Sequence, residues 1–217
     1  MIETREHAVT IDRTRIAERL DKLEIAELVR LERHWRDTAA WDKLAGAYIE
    51  DSHIRTTWFS GTAREFAEHA RALTRQGGGR PSKHLISPVE IRIAGDRAVV
   101  ESLGEIHNRD ALEGVPIDTI QYCRFVSRVV RTADGWRLAS FEGIYQKGVV
   151  TPVFPGDVIP IDREEMSRLR PSYQVWAYLF ARKGFEVPQG DEIVAEDRPE
   201  LVEAFLADTD RWLHELD

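Results

Sequence analysis

Four consecutive segments of alternating polarity, His84 to Ile93, Arg97 to Arg109, Ile117 to Arg131 and Trp136 to Gln146, occupy the middle of the chain. Alternation over such lengths places successive side chains on the two faces of a sheet. The joints Gly95-Asp96 and Asp134-Gly135 are hairpin-turn pairs, too short for a crossover. Long strands joined by tight turns predict a strongly bent antiparallel sheet. Its concave side has to be filled by helices, which makes the fold class α+β.

The helices come from both flanks. Residues 1–11 read as a loose arm, and Asp12 is placed to cap a helix with Ile16, Leu20 and Leu23 on one face. The apolar stripe then changes phase to Ile25, Leu28, Leu31 and Trp35, which predicts two helical segments rather than one rod. Asp37-Thr38 marks a break, and Trp41 to Ile49 reads as a short helix ended by Glu50-Asp51-Ser52. His53 to Phe59, rich in β-branched and aromatic residues, reads as a strand on which Trp58 and Phe59 alternate. Ser60-Gly61-Thr62 turns the chain into a helix over 63–75 carrying Phe66, Ala70 and Leu73. Gly77-Gly78-Gly79 lacks the flanking strand, helix and Lys-Ser/Thr of a phosphate loop and reads as a mobile connection.

Beyond the sheet, Pro152, Pro155, Pro160 and Gly156-Asp157 read as a surface linker. Asp162-Arg163-Glu164-Glu165 resembles a capping box, and Pro171-Ser172 starts a helix with Val175, Trp176, Leu179 and Phe180, ended by Gly184. Asp197, Pro199 and Glu200 open a last amphipathic helix with Leu201, Phe205, Trp212 and Leu213. The expected organisation is a barrel over 1–150 and a helical extension over 151–217. The extension's large aromatics require burial against the barrel or a neighbouring subunit.

Charge and cysteine usage narrow the function. A net charge of −8 with no block of Lys or Arg argues against nucleic acid as a partner. The single Cys123 excludes an internal disulfide and a cysteine metal cage. The polar start Met1-Ile2-Glu3-Thr4-Arg5-Glu6 does not read as a signal peptide, and no apolar run approaches the roughly 20 residues that span a bilayer. A cytoplasmic location is expected.

Candidate chemistry centres on three residues: Asp37 at the joint of two helices, His84 opening the first long strand, and His107 closing the next. A neutral histidine is a good base near neutral pH, and a carboxylate at its other nitrogen fixes the tautomer. Tyr122, Arg124 and Tyr145 lie on the last two long strands, where they could hydrogen-bond a substrate oxygen; Trp41, Tyr48 and Trp58 suit a pocket wall. Asp37, His84 and His107 also form two histidines and a carboxylate, the facial set of non-haem iron, but that motif usually clusters two of its ligands on one strand. No metal or cofactor is therefore expected. No Ser or Cys elbow is present.

The order helix, Asp37-x-x-x-Trp41-Asp42-x-Leu44, acidic turn, strand, helix, Lys83-His84-Leu85-Ile86 and three long strands resembles the SnoaL-like branch of the NTF2-like superfamily. The resemblance covers roughly residues 12–148. It implies a cone-shaped α+β barrel, cystatin-like in its sheet, around a deep apolar pocket. Within that superfamily the chain is similar to scytalone dehydratase and its relatives, among them bile-acid dehydratases and a dehydrochlorinase. The similarity implies that Asp37 pairs with His84, that His84 is the base, and that His107 is a second pocket histidine. Arg36 stands where the dehydratase has a Tyr beside the Asp, and Thr56 where a water-positioning Tyr is expected. The implied function is a cofactor-independent lyase or isomerase. It would eliminate water or a small fragment such as formaldehyde from a bulky aromatic, steroid-like or polyketide-like molecule, with His107, Tyr122 or Arg36 helping the leaving group or oxyanion. The alternative is a non-catalytic binding or assembly module resembling the small subunit of ring-hydroxylating dioxygenases. By analogy a homo-oligomer is expected, trimer ahead of dimer.

Overall fold

The computed structural model describes residues 12–75 and 82–215. The N-terminal arm over residues 1–11 and the Gly77-Gly78-Gly79 break lie outside the described residues. The elements run α1 (Arg13–Asp37), α2 (Trp41–Gly46), β1 (Tyr48–Arg55), β2 (Ser60–Gly61), α3 (Ala63–Arg75), β3 (Lys83–Ala94), β4 (Arg97–Leu112), β5 (Val115–Thr132), β6 (Gly135–Pro152), α4 (Arg163–Ser167), α5 (Gln174–Ala181) and α6 (Pro199–His214). The strands form one six-stranded sheet in the order β2-β1-β6-β5-β4-β3. The four expected long strands are present and longer than predicted. Irregularities in their ladders, between Pro88 and Glu90 and beside Tyr122 and Arg128, sharpen the bend.

Three local expectations are corrected. The sheet is mixed rather than antiparallel, because β1 lies parallel to β6. Tyr48 and Ile49 belong to that strand, not to the preceding helix, and Thr56 to Phe59 form a bend. The acidic Glu50 and Asp51 are tolerated because they face solvent, while Tyr48, Ser52 and Ile54 point inward. Finally, α1 is one helix of 25 residues. The phase change in its stripe reflects a change of environment: Ile16, Leu20 and Leu23 are exposed, whereas Ile25 and Val29 enter the core.

The two sheet faces are covered by different parts of the chain. On the inner face, α1 and α3 pack over Val100, Ile106, Phe125, Val129 and Phe141. Gly104 allows this packing, since a Cβ there would sit 2.1 Å from the Phe125 ring. On the outer face, α6 lays Val202 and Leu213 on Val99, Val126 and Ile144. The tail also enters the main core: Tyr173, Trp176 and Ala177 share a cluster with Ile54 and Phe125. Gly148 lets α5 come close, because its Cβ would lie 2.9 Å from Val175. No helix among the described residues is long and apolar enough to cross a membrane.

Candidate active site

The buried face of α1 reads Ile25, Val29, Glu32, Arg33 and Asp37, one stripe at helical spacing that turns from apolar to charged toward the C-terminus. The Thr38 hydroxyl donates to the His34 carbonyl at 2.7 Å, and Ala39 adopts a φ of 58°, a left-handed position that favours glycine. The sharp turn leaves Asp37 at the very end of the helix, beside the first residues of β3.

There the expected pair is assembled. The Asp37 carboxylate lies 2.6 Å from His84 Nδ1 through one oxygen, and its other oxygen accepts the His84 main-chain N–H, also at 2.6 Å. One residue thus grips both oxygens. Lys83 Nζ donates to the Asp37 carbonyl at 3.0 Å, where a cation complements the helix C-terminus. The His84 side chain is 5% exposed and that of Asp37 9%. Burial holds the His84 imidazole in its neutral form and drives its pKa down to about 4. The charges of Arg33 and Arg36 push the same way, and Asp37 opposes them. For Asp37 itself burial works against ionisation, but the hydrogen bonds from the His84 ring and amide outweigh it and keep the carboxyl below its ordinary range. A neutral ring next to a carboxylate donates Nδ1–H to it, so Nε2 is left as the basic atom.

A second buried pair adjoins the first. Arg33 and Glu32 bond to each other through both guanidinium and carboxylate, with side chains 4% and 1% exposed. The Tyr48 hydroxyl donates to Glu32 at 3.0 Å, and the Arg33 guanidinium lies 4.0 Å from the Phe141 ring centroid. Burial opposes charge on Arg33, but Glu32 more than compensates and raises its pKa. Arg36, in the same last turn, is different. Among the described residues it has only a 3.9 Å ion pair to Asp37, and burial with Arg33 beside it lowers its pKa to about 10.

The other predicted site residues are placed as follows. Tyr145 is buried inside, its hydroxyl accepting the Thr57 N–H at 3.1 Å and its ring stacked edge-on against Tyr173. Trp41 packs on the core, and Trp58 packs with Phe59 on Phe66 and His69, both rings on one side because this stretch is a bend and not a strand. His107 does not join the pair. It faces away from His84, with Nε2 2.8 Å from Glu105. The cause is the irregularity in β3: the Gly95-Asp96 hairpin starts with Ala94 opposite Arg97, a register that would set His107 against His84. One extra residue at Val89 shifts the ladder, so Ile106 opposes His84 and His107 opposes Lys83. Tyr122 and Arg124 share that outward face; Lys147 sits 5.1 Å over the Tyr122 ring, and Arg124 binds Glu101 at 2.8 Å and Glu196 at 3.3 Å. The facial triad of Asp37, His84 and His107 is therefore not assembled. Among the described residues no group of three or more His, Cys, Asp or Glu is arranged to hold a metal ion.

Residues 17–142 match the SnoaL-like domain family. The chain belongs to the SnoaL-like family. That family includes dehydratases and isomerases. This SnoaL-like protein is 27% identical over 179 residues to an uncharacterized protein of Aspergillus terreus, covering 74% of its own length and 65% of the relative's. It is 24% identical to the uncharacterized protein AN9274 of Emericella nidulans, with 72% and 69% covered. The chain thus spans about two thirds of the length of these fungal relatives. Among solved structures it resembles a Novosphingobium aromaticivorans protein provisionally named a scytalone dehydratase (TM-score 0.50, 20% identity, 67% of this chain and 96% of the other). Rv3472 of Mycobacterium tuberculosis is also similar (TM-score 0.52, 19% identity, 80% and 94%). At these identities the likeness carries the NTF2-like fold and nothing finer.

The Glu32–Arg33 pair and Lys83 were not singled out in the sequence. The pair had a signal: extended past Val29 at helical spacing, the buried stripe lands on Glu32, Arg33 and Asp37, and charges on a core-facing stripe are buried charges.

Proposed function

We propose that this SnoaL-like protein is a cofactor-independent lyase or isomerase in which His84, oriented by Asp37, removes a proton from carbon beside a carbonyl or activated ring. The observation carrying this reading is the two-point grip of Asp37 on His84 in a nearly dry setting. Nε2 of the neutral ring takes the proton; the C–H electron pair moves into an enolate or its aromatic equivalent. In an isomerase the proton returns at a second carbon. In a lyase the electron pair expels from the adjacent carbon a hydroxyl, which takes the proton from the His84 imidazolium and leaves as water. The Asp37 carboxylate stabilises the imidazolium formed in between. The substrate class is a bulky ring compound with little polar surface, as the family resemblance implies.

The test is solvent deuterium exchange into a panel of cyclic and polycyclic ketones, followed by mass spectrometry. Exchange catalysed by the wild type should fall by about 10²–10⁴ in His84→Gln, the usual worth of a general base. Exchange no faster than buffer for the whole panel, or unaffected by the substitution, overturns the reading.

The low exposure of the pair favours a second reading. Asp37–His84 would then be a clamp fastening α1 to β3 in a non-catalytic binding or assembly module. On that reading His84→Gln lowers the melting temperature and no chemistry is lost.

A further inference from the structure

Of the cations around the Asp37–His84 pair, one has no hydrogen-bonding partner among the described residues. Arg33 is bound to Glu32 through Nε and Nη2, and Lys83 donates to the Asp37 carbonyl. Arg36 makes no side-chain hydrogen bond to any described residue; the 3.9 Å approach to Asp37 is an ion pair too long to be one. Its side chain is nonetheless only 15% exposed. Five N–H donors in a fixed fork are thus held largely out of bulk water with no acceptor among the described residues. Among the described residues, Thr57 Oγ1 and Gln121 Oε1 are the only fully buried side-chain polar atoms lacking a partner. The unpaired nitrogens of Arg36 therefore keep contact with solvent, and a ligand arriving from outside meets them next to the histidine.

Charge points the same way. Arg33, Arg36 and Lys83 are three cations against the two carboxylates Glu32 and Asp37, with His84 neutral, in a chain whose net charge is −8. A locally positive, poorly hydrated spot on an acidic protein selects anions. A planar guanidinium fork matches a carboxylate through two parallel hydrogen bonds, a geometry that a hydroxyl or a lone carbonyl cannot complete.

Resting on the acid–base reading of His84, we infer that the substrates of this site are ring compounds carrying a carboxylate, and that Arg36 is the residue that binds it and sets the reacting carbon against His84. Arg36 is in this sense a specificity and positioning residue. Seating a carboxylate there also neutralises one of the charges that depress the imidazole, which makes the base stronger when substrate is bound.

Calorimetric binding of benzoate, naphthoate and anthracenecarboxylate, each beside its methyl ester, tests this on the full chain. At least one carboxylate should bind about tenfold or more tighter than its ester. The preference should vanish in Arg36→Met, persist in part in Arg36→Lys, and survive in His84→Gln, which removes the base but not the fork. The His84 ring, followed by NMR, should titrate at higher pH with the carboxylate bound and not with the ester. No carboxylate preferred over its ester, or a preference intact in both Arg36 variants, overturns the inference. Because binding needs no turnover, this result is independent of deuterium exchange: lost exchange with retained carboxylate preference removes the catalytic reading and leaves an anion-binding site.

Discussion

The two faces of the sheet are stabilised by different physics. Against the inner face, the last turns of α1 bury Glu32, Arg33 and Asp37, tied within the pair, to Tyr48 and to His84 by directional bonds, with Arg36 half-buried beside them. Against the outer face, α6 buries aliphatic side chains and keeps its charges at the rim, where Arg128 meets Asp208 at 2.6 Å and Trp212 lies under Arg97 and Arg128. Buried charge pairs contribute little net stability over an apolar filling of equal shape, but they fail badly when one partner is lost. Apolar packing degrades in proportion to the volume removed. Buried charge is not confined to one face, since Glu142 pairs with Arg55 on the outer side, but only the inner face ties its charges to a histidine, and that face carries the candidate site.

The largest effect should come from breaking the inner pair. Glu32→Gln leaves Arg33 with a neutral neighbour, and the uncompensated charge should cost about 3–5 kcal/mol in urea unfolding. The Tyr48 hydroxyl keeps an acceptor in the amide oxygen, so the loss reports the charge and not that hydrogen bond. A cost below about 1 kcal/mol would mean that solvent reaches Arg33 and that the inner face is wet.

The outer face should give way more gently. Leu213→Ala removes a buried side chain from the last turns of α6. Core leucines truncated to alanine lose about 2–5 kcal/mol, and a helix end that can settle into the gap belongs at the low end. A loss larger than that of Glu32→Gln would reverse the comparison and make α6 the main support of the sheet.

How far the sequence disclosed this arrangement depended on the range of the information needed. The four long strands were legible because alternation and turn residues are local signals. The strand β1 was not, since Glu50-Asp51-Ser52 looks like a helix terminus and only the parallel neighbour β6 makes it a strand. The single helix α1 was misread as two because exposure of Ile16, Leu20 and Leu23 depends on where the sheet ends. Asp37 and His84 stand 47 residues apart, and nothing local joins them; family resemblance supplied their meeting. His107 was expected in the pocket from the family resemblance, and one bulged residue in β3 turns it to the other face. Parity in a strand is a sum over every residue back to the turn, so a single insertion defeats it.

The smallest effect, and the sharpest discriminator between the faces, is in pH. The groups facing His84 are Asp37, Arg33 and Arg36, and together with burial they bring its folded pKa to about 4 from an ordinary value near 6.5. Between those values the unfolded chain binds a proton that the folded chain refuses. Stability therefore rises with pH through that window, is fully present above about pH 6.5, and is lost as the pH falls toward 4. Cooling of the melting temperature from pH 7 to about pH 5 should correspond to a loss on the order of 1–2 kcal/mol. In His84→Gln the side chain is neutral throughout, and this part of the slope should disappear. The exposed Arg128–Asp208 pair contributes nothing comparable, because the Arg128 hydrogen bond holds the Asp208 carboxyl below its ordinary range and the pair is screened by solvent. Asp208→Asn should leave the wild-type slope intact. A slope that vanished in Asp208→Asn but survived in His84→Gln would place the acid sensitivity on the outer face, and the imidazole at the end of α1 would not be the neutral base that its surroundings require.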